Sequence, residues 1–255
     1  MRDRAACDVY RFKLRQKQSA PDEYCTMLEV YGIFRIVRNS LHICHASGAV
    51  SFRNLKRVEI PRACIDKGTA RINNMAKRAL IIVDVQNDFC PGGTLAVKDG
   101  DQVVGPLNKL IREFERTGDP IFKSRDWHPA TTKHFQKFGG TWPVHCVQNT
   151  RGAEFHPDLI DSDRITIISK GLGDEDSYSA FDGTKLEAML QELCVEELII
   201  GGLATDYCVK QTVLDGLKNG FKVKAVSEAM RAVEAEPGDG EKAIEEMKAA
   251  GAEIA

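Results

Sequence analysis

Residues 75–255 predict an α/β fold, a three-layer, doubly wound parallel sheet with helices on both faces. Three observations carry this. Short unbroken apolar runs such as Ala79-Leu-Ile-Ile-Val83 have the length and composition of strands covered on both sides. Between them lie segments whose apolar residues recur at helical spacing. The two signals alternate, which calls for parallel strands joined by right-handed crossovers.

The elements follow in order. After the first strand, Val103, Val104, Leu107, Leu110, Ile111 and Phe114 mark a helix that Gly118 closes. Pro120-Ile-Phe-Lys-Ser124 is the second strand, and a long irregular stretch, 126–163, carries most of the His and Trp residues. Ile165 to Ser169 is a third strand, and Thr184 to Leu193 a helix. Leu198 to Ile200 is the fourth strand, running through Gly201-Gly202 into a helix from about Asp206 to Asn219 capped by Gly220. Phe221 to Val226, a helix over Glu241–Ala250 and a short strand, Ala252–Ile254, complete the pattern. Parallel sheets place their sites beyond the carboxyl ends of the strands. Asp84, Asp126, Lys170 and Ala204 all follow strand ends and are expected on one rim.

The first 74 residues read differently. They carry 14 Lys and Arg against 7 Asp and Glu, a net charge of +7, whereas the remainder has a net charge of −9. No sustained period is visible, and only Tyr31 to Val37 has the pattern of a short strand. A nucleic-acid-binding arm would need a motif that is absent, and Asp3, Asp8, Asp22 and Glu23 argue against a transit peptide. The favoured reading takes Met75-Ala-Lys-Arg as the natural start, with 1–74 a basic extension that is poorly structured or lies upstream of it.

Composition sets further bounds. With 43% hydrophobic and 28% charged residues the chain has a globular balance. It contains no apolar run of the roughly 18 residues that a membrane span needs, and no secretory signal pattern. The eight cysteines form no C-x-x-C pair, so neither a zinc ribbon nor a dithiol redox motif is indicated. Reduced thiols in a cytoplasm are the expectation. Neither nucleic acid nor a membrane is an expected partner, and a homo-oligomer stays open.

The chemistry centres on Cys208. In Leu203-Ala204-Thr205-Asp206-Tyr207-Cys208, Thr205 is a candidate N-cap, placing the thiol in a first helical turn whose dipole favours a thiolate and whose N–H groups suit an oxyanion. A buried inert cysteine is the plainer alternative. Asp84 ends a buried strand, where an acid is costly unless paired or used, and Lys170 ends another. Together the three form a nucleophilic set in which Asp84 takes the thiol proton and Lys170 stabilises developing charge. Asp126-Trp-His128 and Trp142-Pro-Val-His145 offer a carboxylate and two imidazoles, a set suited to a catalytic Zn²⁺, Mn²⁺ or Fe²⁺. His134 is a further ligand or an outer partner. Phe89 and Trp142 stand beside these motifs as walls for a flat ring, and Tyr178 shares the rim. Asp88 reads as a loop cap, Phe181 as a loop anchor, and Cys90 and Cys146 as packing thiols.

The segments Asp84-Val-Gln-Asn-Asp-Phe-Cys-Pro-Gly-Gly, Arg125-Asp-Trp-His-Pro, Trp142-Pro-Val-His-Cys-Val-Gln-Asn-Thr, Lys170 with Tyr178-Ser-Ala-Phe, and Gly202-Leu-Ala-Thr-Asp-Tyr-Cys208 resemble the nicotinamidases, or pyrazinamidases, of the isochorismatase-like cysteine hydrolases. The resemblance spans about 77–255 and leaves 1–74 outside. It implies an Asp84–Lys170–Cys208 triad and an oxyanion hole at the backbone N–H groups of Ala204 and Cys208. It also implies a cis peptide between Leu203 and Ala204, a substrate pocket including Phe89, Trp142 and Tyr178, and one divalent metal, zinc first, on Asp126, His128 and His145. The implied reaction deamidates nicotinamide to nicotinate and ammonia in NAD salvage, with pyrazinamide as a further substrate. A related cysteine amidohydrolase acting on another small amide or ureido compound is the alternative.

Overall fold

The computed structural model describes residues 77–255 in full, together with the backbone of four strands nearer the N-terminus. The chain divides into two compact units, Met1–Arg62 and Ala63–Ala255. In the first, β1 (Val9–Leu14), β2 (Leu28–Val37), β3 (Ser40–His45) and β4 (Gly48–Ser51) form an antiparallel sheet in sequential order. The segment Tyr31–Val37 lies within β2. The rest of the expectation for 1–74 falls largely outside the described residues.

The second unit is built on six parallel strands in the order β10-β9-β8-β5-β6-β7. They are β5 (Arg78–Val83), β6 (Ile121–Asp126), β7 (Ile165–Lys170), β8 (Glu197–Leu203), β9 (Lys222–Arg231) and β10 (Glu253–Ile254). Four helices connect them: α1 (Val104–Thr117), α2 (Leu186–Glu192), α3 (Lys210–Lys218) and α4 (Asp239–Ala249).

Strand alternation divides the core into two layers. In β5, Ala79, Ile81 and Val83 face one layer with Leu186 and Leu190 of α2, Val213 of α3 and Met247 of α4. Leu80 and Ile82 face the other, with Leu107, Ile111 and Phe114 of α1. The apolar run of β5 therefore has helices on both sides, as its lack of polar alternation requires, whereas the edge strand β7 leaves Ile167 exposed. Gly118 ends α1 at φ 80°, donating its N–H to Phe114 O, the left-handed cap that favours glycine.

Two elements differ most from expectation. β9 runs on to Arg231, five residues beyond Val226, because a register shift between Ile200 and Gly202 of β8 lets pairing resume at Met230 and Arg231. The expected helix at Asp206 begins as a wider π turn, Thr205–Val209, before α3. Its N-cap is Ala204 rather than Thr205, with no side-chain cap, because Ala204 O accepts the N–H groups of both Tyr207 and Val209.

The chain steps outward from β5 to β6 and β7, then crosses back to β8 on the other side of β5. The strand order thus reverses at β5, and a crevice opens there at the carboxyl ends.

Candidate active site

Four strand ends converge at this crevice. β5 delivers Asp84, whose φ of 49° turns its side chain out of the strand path. β6 and β7 end on Asp126 and Lys170, which are direct partners in the ladder, so both side chains leave the same face. β8 leads through the Leu203–Ala204 peptide, which is cis, into the turn bearing Cys208.

The side chains meet in a buried cluster. Lys170 Nζ lies 2.9 Å from Asp84 Oδ2, 2.5 Å from Asp126 Oδ1 and 3.6 Å from Cys208 Sγ, and donates to Ser177 O at 3.0 Å. Asp84, Asp126 and Cys208 bring one acidic atom each to within 4.8 Å of one another. Burial alone would discharge such a group, but Asp126 and Asp84 hold the Lys170 ammonium well above its ordinary pKa. Burial opposes the charge on Asp126 too, yet Lys170 and the His128 ring outweigh it and depress that carboxyl. Asp84 goes the other way, because burial raises it more than Lys170 lowers it. Cys208 is likewise pushed up by burial, with Lys170 only partly offsetting it. The turn that was expected to favour a thiolate thus holds a thiol at rest, since desolvation exceeds what one ammonium returns.

Beside this cluster stand three imidazoles. His128, His134 and His145 offer ring nitrogens within 4.8 Å of one another, and all three are buried. Asp126 Oδ2 is 3.7 Å from His128 Nε2 and 3.9 Å from His145 Nε2, beyond hydrogen-bond reach. His145 Nδ1 donates to Pro143 O at 2.7 Å, which leaves its Nε2 lone pair for the cluster. Both ring nitrogens of His128 are buried without a hydrogen-bond partner. Buried polar atoms are rarely left so, and donors that surround a gap without bonding one another fit a shared divalent cation. Gly171 lies against this ring: at φ 67°, a Cβ there would stand 2.5 Å from His128 Cε1.

A narrow pocket, open to solvent, joins the two clusters. Phe89, Trp142 and Tyr178, the three aromatics expected from sequence, line it alongside Asp126, His134, His145, Ala204 and Cys208. Trp142 Nε1 donates to Tyr178 Oη at 2.9 Å. Phe181 instead stacks on Phe221 in the core, an anchor as expected.

Sequence reasoning missed several supporting residues. Tyr207 lines the pocket edge-on to Trp142, with ring centroids 5.1 Å apart. Ser124 Oγ donates to Asp84 Oδ1 at 2.7 Å. Gln86 holds the end of β6 by accepting from Asp126 N at 2.7 Å and donating to Asp126 O and Ala153 O. Asp88, the expected loop cap, accepts from Thr94 N and, 58 residues away, from Cys146 N next to His145. Ser124 had a signal, a small hydroxyl in an apolar strand; Tyr207 sat one residue from Cys208 and was read only as part of the turn.

Comparison with known proteins now decides the family. The isochorismatase domain model matches residues 78–255. The chain belongs to this family. It is 42% identical over 202 residues to the nicotinamidase of Escherichia coli K12, covering 71% of this chain and 95% of that one. Among solved structures, the pyrazinamidase of Pyrococcus horikoshii in complex with zinc superposes with a TM-score of 0.67 at 45% identity, covering 70% and 98% of the two chains. PnC1 from L. infantum in complex with nicotinate gives a TM-score of 0.63 at 34% identity, covering 71% and 92%. The protein is accordingly an amidohydrolase of the nicotinamidase class, with a site for a small-molecule substrate. Among the described residues, no helix is long and apolar enough to cross a membrane.

Proposed function

We propose that the protein hydrolyses nicotinamide to nicotinate and ammonia through a covalent thioester on Cys208, and acts also on pyrazinamide. The observation that carries this reading is the shared pocket, in which Cys208 and two of the clustered imidazoles, His134 and His145, line one aromatic-walled space. The zinc and nicotinate complexes of its relatives support it.

Asp126, His128 and His145 would hold a divalent ion, zinc foremost, with His134 as a fourth donor. An ion held there would supply a Lewis-acidic anchor for the substrate's heteroaromatic ring. Phe89 and Trp142 flank that ring, and Tyr178 steadies Trp142 through its hydroxyl. The carboxamide is thereby presented to Cys208. Asp84, whose carboxyl is held above its ordinary pKa range by burial and is thereby a stronger base, takes the thiol proton as sulfur bonds to the carboxamide carbon. Lys170 stays an ammonium throughout, pairing the Asp84 carboxylate at rest and offsetting the charge on sulfur as its proton leaves. The N–H groups of Ala204 and Cys208 receive the carbonyl oxygen as it becomes an oxyanion. Asp84 then returns its proton to the leaving nitrogen, which departs as ammonia. A water attacks the thioester carbon and gives a proton to Asp84; the C–S bond breaks, Asp84 returns that proton to sulfur, and the acid leaves as nicotinate with its remaining proton passing to solvent.

We assign the chemistry to residues 75–255, in the cytoplasm, where nicotinate feeds NAD salvage. The test is ammonia release from nicotinamide by the wild type and Cys208→Ala, with pyrazinamide and a ureido compound alongside. Wild-type release that vanishes in the variant is expected; substantial turnover by Cys208→Ala would refute the covalent route.

A further inference from the structure

The segment between Lys170 and Tyr178 is stitched to the loop that carries the imidazoles. Thr132 Oγ1 donates to Gly173 O at 2.8 Å, and Lys133 N to Asp174 Oδ1 at 3.1 Å. His134 Nδ1 meets Asp176 Oδ1 at 2.5 Å. Trp142 and Tyr178 close the seam. Three consecutive residues on one side thus meet three from a four-residue stretch on the other, so backbone placement sets where the Asp176 carboxylate stands.

We propose that Asp176 is a positioning residue, holding the His134 ring in the one tautomer and orientation that turns Nε2 toward His128 and His145. The inference rests on the reading that these imidazoles bind a metal. A carboxylate can only accept, so the shared proton belongs to His134 Nδ1 and the lone pair to Nε2. The ring cannot readily swing elsewhere. It is 4% exposed, stacks on His128 at 4.5 Å and 15°, and lies near parallel to Trp142 at 6.5 Å. Flipping it would set a carbon against the carboxylate.

The three rings are in fact fixed in three ways. His145 is fixed by Pro143 O in its own loop, and His128 by packing against Gly171 and His134 with both nitrogens free. Of the three, His134 alone takes a hydrogen-bond partner from the segment that follows Lys170; Gly171 meets His128 by packing. Through Asp176, the catalytic-lysine loop therefore helps set the geometry of the metal cluster. Outer partners of this kind typically change metal affinity by 10- to 100-fold. Asp176 is half-exposed, so water replaces it in part, and the lower end of that range applies.

The experiment uses the full chain as wild type, Asp176→Ala, Asp176→Asn and Asp174→Ala. Zinc affinity is read by competition with a chromogenic chelator, and the His134 tautomer by ¹⁵N NMR of the metal-free proteins. Asp176→Ala is expected to weaken zinc binding about 10-fold and to lose the fixed Nδ1–H tautomer. Asp176→Asn, which still offers a carbonyl acceptor, should retain most of both. Asp174→Ala cuts the neighbouring stitch without touching His134 and should leave zinc affinity unchanged. Wild-type affinity in Asp176→Ala, or an equal loss in Asp174→Ala, would overturn the proposal. A wild type that binds no zinc sinks the metal reading and with it the affinity role, while the metal-free spectra still decide whether Asp176 sets the tautomer.

Discussion

Replacing Ser124 by Ala isolates how Asp84 is tuned. Ser124 is buried, and its hydroxyl donates to Asp84 Oδ1 at 2.7 Å. The other carboxylate oxygen faces Lys170 at 2.9 Å, so Ala would leave one oxygen of a fully buried carboxylate unpartnered. A hydrogen bond to a charged group contributes about 1.5–3 kcal/mol. The hydroxyl favours the carboxylate over the carboxylic acid, so its loss raises a pKa that burial already lifts. At 1.36 kcal/mol per unit the rise is about 1–2 units. Asp84 must be a carboxylate in the free enzyme to take the thiol proton. The acidic limb of kcat/KM for ammonia release should therefore move to higher pH by that amount. Below the limb the variant should be about 10- to 100-fold slower, and at high pH it should approach wild type. Because the Asp84 and Asp126 carboxyls act on each other beside the same Lys170 ammonium, the limb belongs to the pair, and its displacement is the quantity to measure. An unmoved limb, or a loss of equal size at every pH, would refute this account of Ser124 and of Asp84 as the base.

Other consequences are as direct. Gly171→Ala puts a methyl where His128 Cε1 would stand 2.5 Å away, at φ 67°, so zinc content should fall and thermal stability drop by about 1–2 kcal/mol or more; a variant with full zinc content and unchanged melting would contradict the packing. Asp88→Ala orphans the buried Cys146 N–H and should cost about 1–3 kcal/mol in denaturant unfolding, with Asp88→Asn milder because it keeps an acceptor. Burial lowers His145 from 6.5 to about 4. In the metal-free protein the unfolded chain then binds more protons between those values. Stability from this group is present above pH 6.5, falls as pH drops toward 4, and is lost there, a change of roughly 3 kcal/mol. His145→Gln should flatten that slope in urea melts taken across the window, and an unchanged slope would exclude His145 as its source. A chain begun at Met75 should release ammonia from nicotinamide at the full-length rate; a large loss would give residues 1–74 a part in catalysis.

Much of the site was legible because strand ends are local features. The apolar runs before Asp84 and Lys170 mark where each strand stops, and a charged residue there has few inert uses. Asp126, His128 and His145 were likewise visible as close-spaced donors. His134 stayed ambiguous, since its role depends on Asp176, 42 residues away. Thr205 was misjudged as a cap because a π turn, closed by Ala204 O, replaces an ordinary first turn. The thiol of Cys208 was expected to ionise from its place in a helix. Its surroundings decide otherwise, since burial is a property of everything packed around a residue rather than of its neighbours in the chain.

By itself, then, the chain determined its strands, its helices and the rim that each strand end would reach, because periodicity and turn chemistry act over a few residues. The order β8-β5-β6-β7 was left to the tertiary structure. That order sets Cys208 across the crevice from Asp126 and Lys170, with Asp84 between. Pairing in a sheet is chosen by which faces bury together, and no local pattern encodes it. The same holds for the charges: one ammonium among two carboxylates and a thiol acquires its state from distances of 2.5–3.6 Å between residues far apart in sequence, Asp84 and Lys170 among them.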